Sequence, residues 1–269
     1  KEAFLCFESM KCEGLLPNTV TYVCILNGCS RMGVISKGRE IHAEIVQEGL
    51  LDKSIVVGNA LVNMYAKAGD LNKAEEVFDG LPYRNVISWT ALIAGYAQCK
   101  RDEEALNCFE RMQYSGLPPD GVIWACVLQI CGNMRAIIKG RAIHMEVVKK
   151  GLFGKDVSTN NGLLGMYAKC GAVTEVHKVL KSLQARGIVS WNAIISGYAE
   201  NENYEGVLDC FKKMQDTGIH PDASTFICIL KACGNANAID MGKKIHGDIV
   251  IAGMLESNML IGTALIDMY

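Results

Sequence analysis

The chain has 269 residues, half of them hydrophobic and 21% charged, with a formal net charge of −2. That composition argues against a disordered chain, and the slight acidic excess lacks the basic footprint expected of a nucleic-acid binder. No apolar run reaches the roughly 20 residues that a membrane-spanning helix needs, so no membrane contact is expected, and neither a signal nor a transit peptide is visible.

Residues 1–18 open on "KEAFLCFESM", which reads as a helix already under way. Residues 19–54 contain "GREIHAEIV", where His42-Ala43-Glu44 has the H-x-E spacing that zinc deaminases use for one ligand and their general acid/base. Residues 55–85 carry "NALVNMYAKAGDLNKAEEVF". In 86–120, Leu92, Ile93 and Tyr96 form one apolar stripe at helical spacing. Ala105, Leu106, Phe109 and Met112 form a second, "CKRD" separates the two, and "SGLPPD" ends the second helix with Gly and Pro. The same pattern then returns through 121–156, 157–187, 188–222 and 223–258. Residues 259–269 read as a helix that stops short, so the chain is expected to be a piece of a longer protein.

The recurrence has a fixed step. His42, His144 and His246 lie 102 residues apart, as do Gly38, Gly140 and Gly242, and Cys29, Cys131 and Cys233. Each step divides into units of 36, 31 and 35 residues. Fixed-period self-similarity marks a repeat array. One pair of short helices cannot bury its apolar faces alone, but stacked neighbours can. The expected fold is therefore all-α, a single α-solenoid over 1–269 built from stacked helix-turn-helix repeats, with a groove along one side.

Twelve cysteines and the repeated H-x-E invite a metal reading, which the alignment of units removes. The recurrent C-x4-C spacing puts two thiols about 140° apart on a helix, too far round to clamp one ion. Cys29, Cys131 and Cys233 occupy the slot of Tyr65 and Tyr96, and Cys24, Cys126 and Cys228 that of Ala60 and Ala91. All six are expected to be small buried hydrophobes. His42, His144 and His246 occupy the slot of Phe7, Phe78 and Phe109 and are expected to pack in the core. Deaminase chemistry also needs P-C-x-x-C, which is absent. No metal, cofactor or catalytic residue is expected in this chain. Trp89 and Trp191 share a slot at the start of a first helix and are expected to pack between units.

"NVISWTALIAGYAQCKRDEEALNCFERMQYSGLPPD" and "IVSWNAIISGYAENENYEGVLDCFKKMQDTGIHPD" resemble pentatricopeptide repeats. "VVGNALVNMYAKAGDLNKAEEVFDGLPYRN" resembles the short variant of that repeat and "GREIHAEIVQEGL" the long one, an order similar to the PLS subclass of plant organelles. The resemblance covers the whole chain. It implies a right-handed superhelix that binds single-stranded RNA, about one base per repeat, in a mitochondrion or chloroplast. It also implies guidance of C-to-U editing beside other editing-complex proteins, with any deaminase domain elsewhere. The alternatives are a splicing or stability factor, or a protein-binding scaffold in an organellar ribosome or polymerase assembly.

In that family the fifth and last residues of a repeat choose the base. Carried over, these are Asn59 and Asn85 (a pyrimidine), Thr90 and Asp120 (G), Asn161 and Gly187 (a weak pyrimidine preference), and Asn192 and Asp222 (U). The long units carry Val23 with Ser54, Ala125 with Asp156 and Ile227 with Asn258, whose apolar fifth residues cannot read a base edge. Taken singly, these Asn, Asp and Thr residues also read as helix caps or a solvated surface; the matched pairs turn the reading to base contact. The resemblance places Val56, Ile87 and Val189 beside the bases as apolar wedges, with Ser158 a departure. It places Lys67 and Lys169 near phosphates, where isolated solvated lysines are the alternative.

Overall fold

The computed structural model describes residues 2–183 and 187–269, and every regular element among them is a helix. The first helices of successive repeats are α2 (Thr19–Met32), α5 (Ile55–Lys67), α7 (Val86–Gln98), α9 (Gly121–Asn133), α11 (Val157–Lys169), α13 (Ile188–Glu200), α15 (Ala223–Asn235) and α18 (Met259–Met268). Their partners are α3 (Ile35–Gln47), α6 (Leu71–Asp79), α8 (Asp102–Tyr114), α10 (Ile137–Lys149), α12 (Val173–Ser182), α14 (Tyr204–Asp216) and α16 (Ile239–Ile251). One helix, α1 (Glu2–Cys12), precedes them, and two single turns, α4 (Leu50–Lys53) and α17 (Met254–Ser257), extend long repeats.

Helix starts follow from one chemical class of residue. The positions before the first helices are Asn18, Ser54, Asn85, Asp120, Asp156, Gly187, Asp222 and Asn258, all from the set preferred at N-caps. Asn85 Oδ1 accepts from Ser88 N at 2.9 Å, Asp120 Oδ1 from Ile123 N at 2.9 Å and Asp222 Oδ1 from Thr225 N at 2.9 Å. Each bond satisfies one amide that the helix leaves unpaired. Between the two helices of a repeat the chain turns through the left-handed region, at Gly33 in repeat 19–54, at Gly69 and Gly171 in the short repeats and at Lys100, Arg135, Glu202 and Asn237 elsewhere.

The chain forms two compact bodies that divide between Cys126 and Val127, inside α9. In the first, α5 packs between α2 and α7, and each of the three also packs on its own second helix. In the second, α11, α13, α15 and α18 follow one another, with α12, α14 and α16 behind. Each body is thus a stack of helix pairs, as in an α-solenoid. Glycine permits the closest approaches: a Cβ on Gly95 would lie 2.5 Å from Ala66 Cβ, and one on Gly197 2.5 Å from Ala168 Cβ.

Trp89, Trp124 and Trp191 are buried, Trp89 against Phe78 at 4.6 Å between ring centroids and Trp124 against Phe109 at 5.5 Å. They are packing residues and present no face to a ligand. The cysteines divide. Cys29, Cys131 and Cys233 are buried as expected, but Cys24 is exposed and Cys126 and Cys228 are half-buried. The reason is geometric: the slot of Cys24 borders the groove described below, whose wall includes the buried Ala60 and the half-buried Ala91. None of the twelve cysteines, all among the described residues, forms a disulfide.

The three periodic histidines are only half-buried and do more than fill a Phe slot. Each sets Nδ1 against the hydroxyl of a tyrosine in the next repeat: His42 with Tyr65 at 2.9 Å, His144 with Tyr167 at 2.8 Å and His246 with Tyr269 at 3.0 Å. Among the described residues, no cluster of metal-ligating side chains occurs.

Candidate functional site

A first helix presents its second, fifth, sixth and ninth residues on one face, because these positions fall within one helical stripe. In the first body this stripe on α5 and α7 lines a groove of about 520 Å³. Its walls include Val56, Asn59 and Asn63 from α5, Ile87 and Thr90 from α7, and the caps Asn85 and Asp120. Val56 and Ile87 are 54% and 64% exposed, which is costly for aliphatic side chains with nothing to cover them. Val189 is exposed in the same way in the second body, as is the polar Ser158.

The fold brings fifth and last residues together because the last residue of one repeat caps the first helix of the next. Asn59 Nδ2 donates to Asn85 Oδ1 at 3.3 Å, while Asn59 Oδ1 is buried and finds no hydrogen-bond partner among the described residues. Asn192 Nδ2 donates to both carboxylate oxygens of Asp222 at 3.1 Å. Thr90 and Asp120 line the same groove but face their own helices: Thr90 Oγ1 donates to the Val86 carbonyl at 2.7 Å and Asp120 caps α9. Asn161 finds no side chain at Gly187 and instead accepts from Ser190 Oγ at 2.7 Å.

Asp222 is the most tightly held of these groups. Burial opposes its ionisation, but hydrogen bonds from the Thr225 amide and hydroxyl, from Asn192 and from the Ser224 amide outweigh burial and hold the carboxyl below its usual range. The site therefore keeps a fixed anion beside an oriented amide at neutral pH.

The two lysines part company. Lys67, the last residue of α5, is exposed. Lys169, its counterpart in α11, pairs with Glu200 at 2.9 Å and donates to Asn133 Oδ1 at 2.8 Å, and its side chain is only 18% exposed. Two further features line up with these positions. Val20 and Val122, 69% and 59% exposed, hold the second position in long repeats, and the alignment of units places them there once the long repeats are treated like the rest. The third-position hydroxyls Ser88, Ser190 and Thr225 are buried beside the fifth and last residues; their Ser/Thr recurrence was visible, their contacts were not.

The "PPR repeat" family model matches residues 20–50, 59–86, 87–117 and 161–188, and the "PPR repeat family" model matches 186–235, together more than half of the chain. A chloroplastic pentatricopeptide repeat-containing protein of Arabidopsis thaliana is 36% identical over 262 residues, 97% of this chain and 32% of the relative. A mitochondrial one from the same plant is 34% identical over 263 residues, 98% of this chain and 25% of the relative. The chain therefore spans about a quarter to a third of the length of these relatives. Among solved structures, the pentatricopeptide repeat protein PPR10 in complex with an 18-nt psaJ RNA element matches with a TM-score of 0.80 at 23% identity, over 100% of this chain and 40% of that one. PPR10 from maize matches with a TM-score of 0.53 at 20% identity, over 98% and 43%. These two likenesses are of fold.

Proposed function

Since the chain belongs to the pentatricopeptide repeat family, we propose that its groove face binds single-stranded RNA and reads bases through the paired fifth and last residues. The observation that carries this reading is the Asn192–Asp222 pair, an amide and an ionised carboxylate held in direct contact at the repeat positions that line the groove in the first body. Bases splayed from their stack expose a Watson–Crick edge, and an amide beside an acceptor can match it. Exposed aliphatic residues at the second position supply the flanks against which flat bases rest, in keeping with the uncovered Val56, Ile87 and Val189. RNA runs 5′ to 3′ with the chain in this reading, and the target reads pyrimidine, G, any base, pyrimidine, U across 55–222.

Lys67 is the better of the two lysines for a phosphate, since Lys169 is already engaged by Glu200. With a net charge of −2, affinity depends on a few local cations and falls steeply as salt rises. Filter binding tests the assignment: the predicted tract should bind more tightly than one with its G changed to U, and equal affinity would overturn the pairing of Thr90 and Asp120 with G.

A finer reading follows from the 36, 31 and 35 residue cycle, which resembles the PLS arrangement. The parent protein then directs C-to-U editing in a mitochondrion or chloroplast, this chain supplying the sequence choice. The organelle labels of the Arabidopsis relatives support the compartment. Sequencing organellar transcripts from a plant lacking the gene tests it: one cytidine should stay unconverted downstream of the predicted tract, and full conversion everywhere would reject it.

A further inference from the structure

We propose that Ser190 is a positioning residue for base choice: it supplies the orienting hydrogen bond that Gly187 cannot, and so sets repeat 157–187 to take cytosine at least as readily as uracil. This rests on the RNA-reading function above and adds a third residue to it.

Gly187 precedes α13 in extended conformation and offers no side chain to cap it. Three residues on, the Ser190 hydroxyl closes no capping box, whereas Thr225 Oγ1 does both jobs, accepting from Asp222 N at 3.2 Å and donating to Asn192 Oδ1 at 2.6 Å. In α7 the equivalent Ser88 Oγ accepts from Asn85 N at 2.9 Å and donates to Asn85 O at 2.8 Å, closing a capping box. In α13, Ser190 Oγ instead reaches back across the repeat boundary to Asn161 Oδ1 at 2.7 Å. Ser190 is only 3% exposed, so water cannot easily replace that bond.

The neighbouring repeat fixes which way the amide points. Asp222 can only accept, so Asn192 must turn Nδ2 toward it. Asn192 Oδ1 then faces the third-position hydroxyl of Thr225, 2.6 Å away. Asn161 Oδ1 meets Ser190 in the same manner. The third-position hydroxyl is therefore the shared element, and the last residue is what differs.

The difference has a chemical consequence. At Asn192 one amide hydrogen is engaged by Asp222, whose carboxylate can accept the imino N–H of uracil. At Asn161, among the described residues, neither amide hydrogen is engaged and the last position carries no carboxylate to accept an imino N–H. A donor-only face suits cytosine, whose N3 and O2 both accept. Uracil keeps its carbonyl acceptors but leaves its N–H unmatched.

The test uses the full chain and four RNAs that differ only at the base facing repeat 157–187. The wild type should bind the cytosine RNA at least as tightly as the uracil RNA, and both about tenfold more tightly than the purine RNAs, the equivalent of one good hydrogen bond. Ser190→Ala frees the amide to turn either way and should reduce the pyrimidine preference to about threefold or less, a loss of under one decade. Ser190→Thr should restore it, and Gly187→Asp, whose Cβ meets nothing within 4 Å, should shift the preference to uracil. A uniform loss across all four RNAs, or an unchanged ratio in Ser190→Ala, overturns the inference. Equal wild-type binding of all four overturns it too, while discrimination at the Thr90–Asp120 base keeps the broader RNA reading. Binding of none of them rejects both.

Discussion

Asn192 and Asp222 stand thirty residues apart in sequence, yet the amide of the first donates to both oxygens of the second. The contact arises because Asn192 sits one turn into α13 while Asp222 caps α15, and the two helices pack side by side. Asp222→Asn keeps a good cap but removes the anion. We expect uracil discrimination at this repeat to fall about tenfold, one hydrogen bond to a charged group, with the melting temperature nearly unchanged. Competition binding with uracil and cytosine RNAs, beside a thermal melt, checks both halves.

The unequal lysines give a second expectation. Lys67→Ala should weaken RNA binding and lower the slope of log affinity against log salt by about one. Lys169→Ala should do less, because Glu200 already neutralises that ammonium. Glu200→Gln should strengthen binding by releasing it. Salt titrations of the three variants decide the matter, and equal slopes for both lysine variants would reject the distinction.

Acid should destabilise the fold through His42 and His144. Burial lowers the pKa of His42, with Lys73 adding to the effect and Glu76 opposing it, and burial lowers that of His144. The unfolded chain, with histidines near 6.5, therefore takes up protons first as pH drops. Their stability contribution is complete above about pH 6.5 and is lost as pH falls from there through the lower folded values. A His42→Phe, His144→Phe variant should show a shallower decline of melting temperature as pH falls below about 6.5.

Two glycines of similar crowding should respond differently to alanine. A Cβ on Gly140 would lie 2.5 Å from Met166 Sδ, the tip of a flexible side chain. On Gly197 it would meet Ala168 Cβ at 2.5 Å and the backbone nitrogen of Lys169 at 3.0 Å. Gly197→Ala must push α13 off α11, costing about 1–3 kcal/mol against a helix-propensity gain of about 1 kcal/mol. Gly140→Ala should stay close to neutral as the methionine swings aside. Urea unfolding of both variants provides the comparison.

Helical periodicity and the spacing of Gly and Pro made the helix pairs legible, since those signals are local. The fifth and last residues were legible as pairs only through the resemblance, and their contact depends on helices from adjacent repeats. What stayed hidden was pairing across repeats. Nothing near Lys169 in sequence announces Glu200, and nothing near Ser190 announces Asn161. Cys24 showed the limit of slot reasoning: alanine at its equivalents reported small size, which suits a groove wall as well as a core. The histidines showed another, because a Phe slot can also admit a ring whose nitrogen has found a tyrosine.

The residue closing each repeat starts the next helix, and all eight such positions carry Asn, Asp, Ser or Gly. Helix initiation thereby limits the vocabulary at that position before any base is considered. A long aliphatic or basic side chain there would forfeit the cap, about 1 kcal/mol per helix. Changing the last residue of one repeat consequently rewrites the opening of its neighbour, so under the proposed reading recognition and folding would draw on one small alphabet of short polar side chains, with glycine as its blank letter.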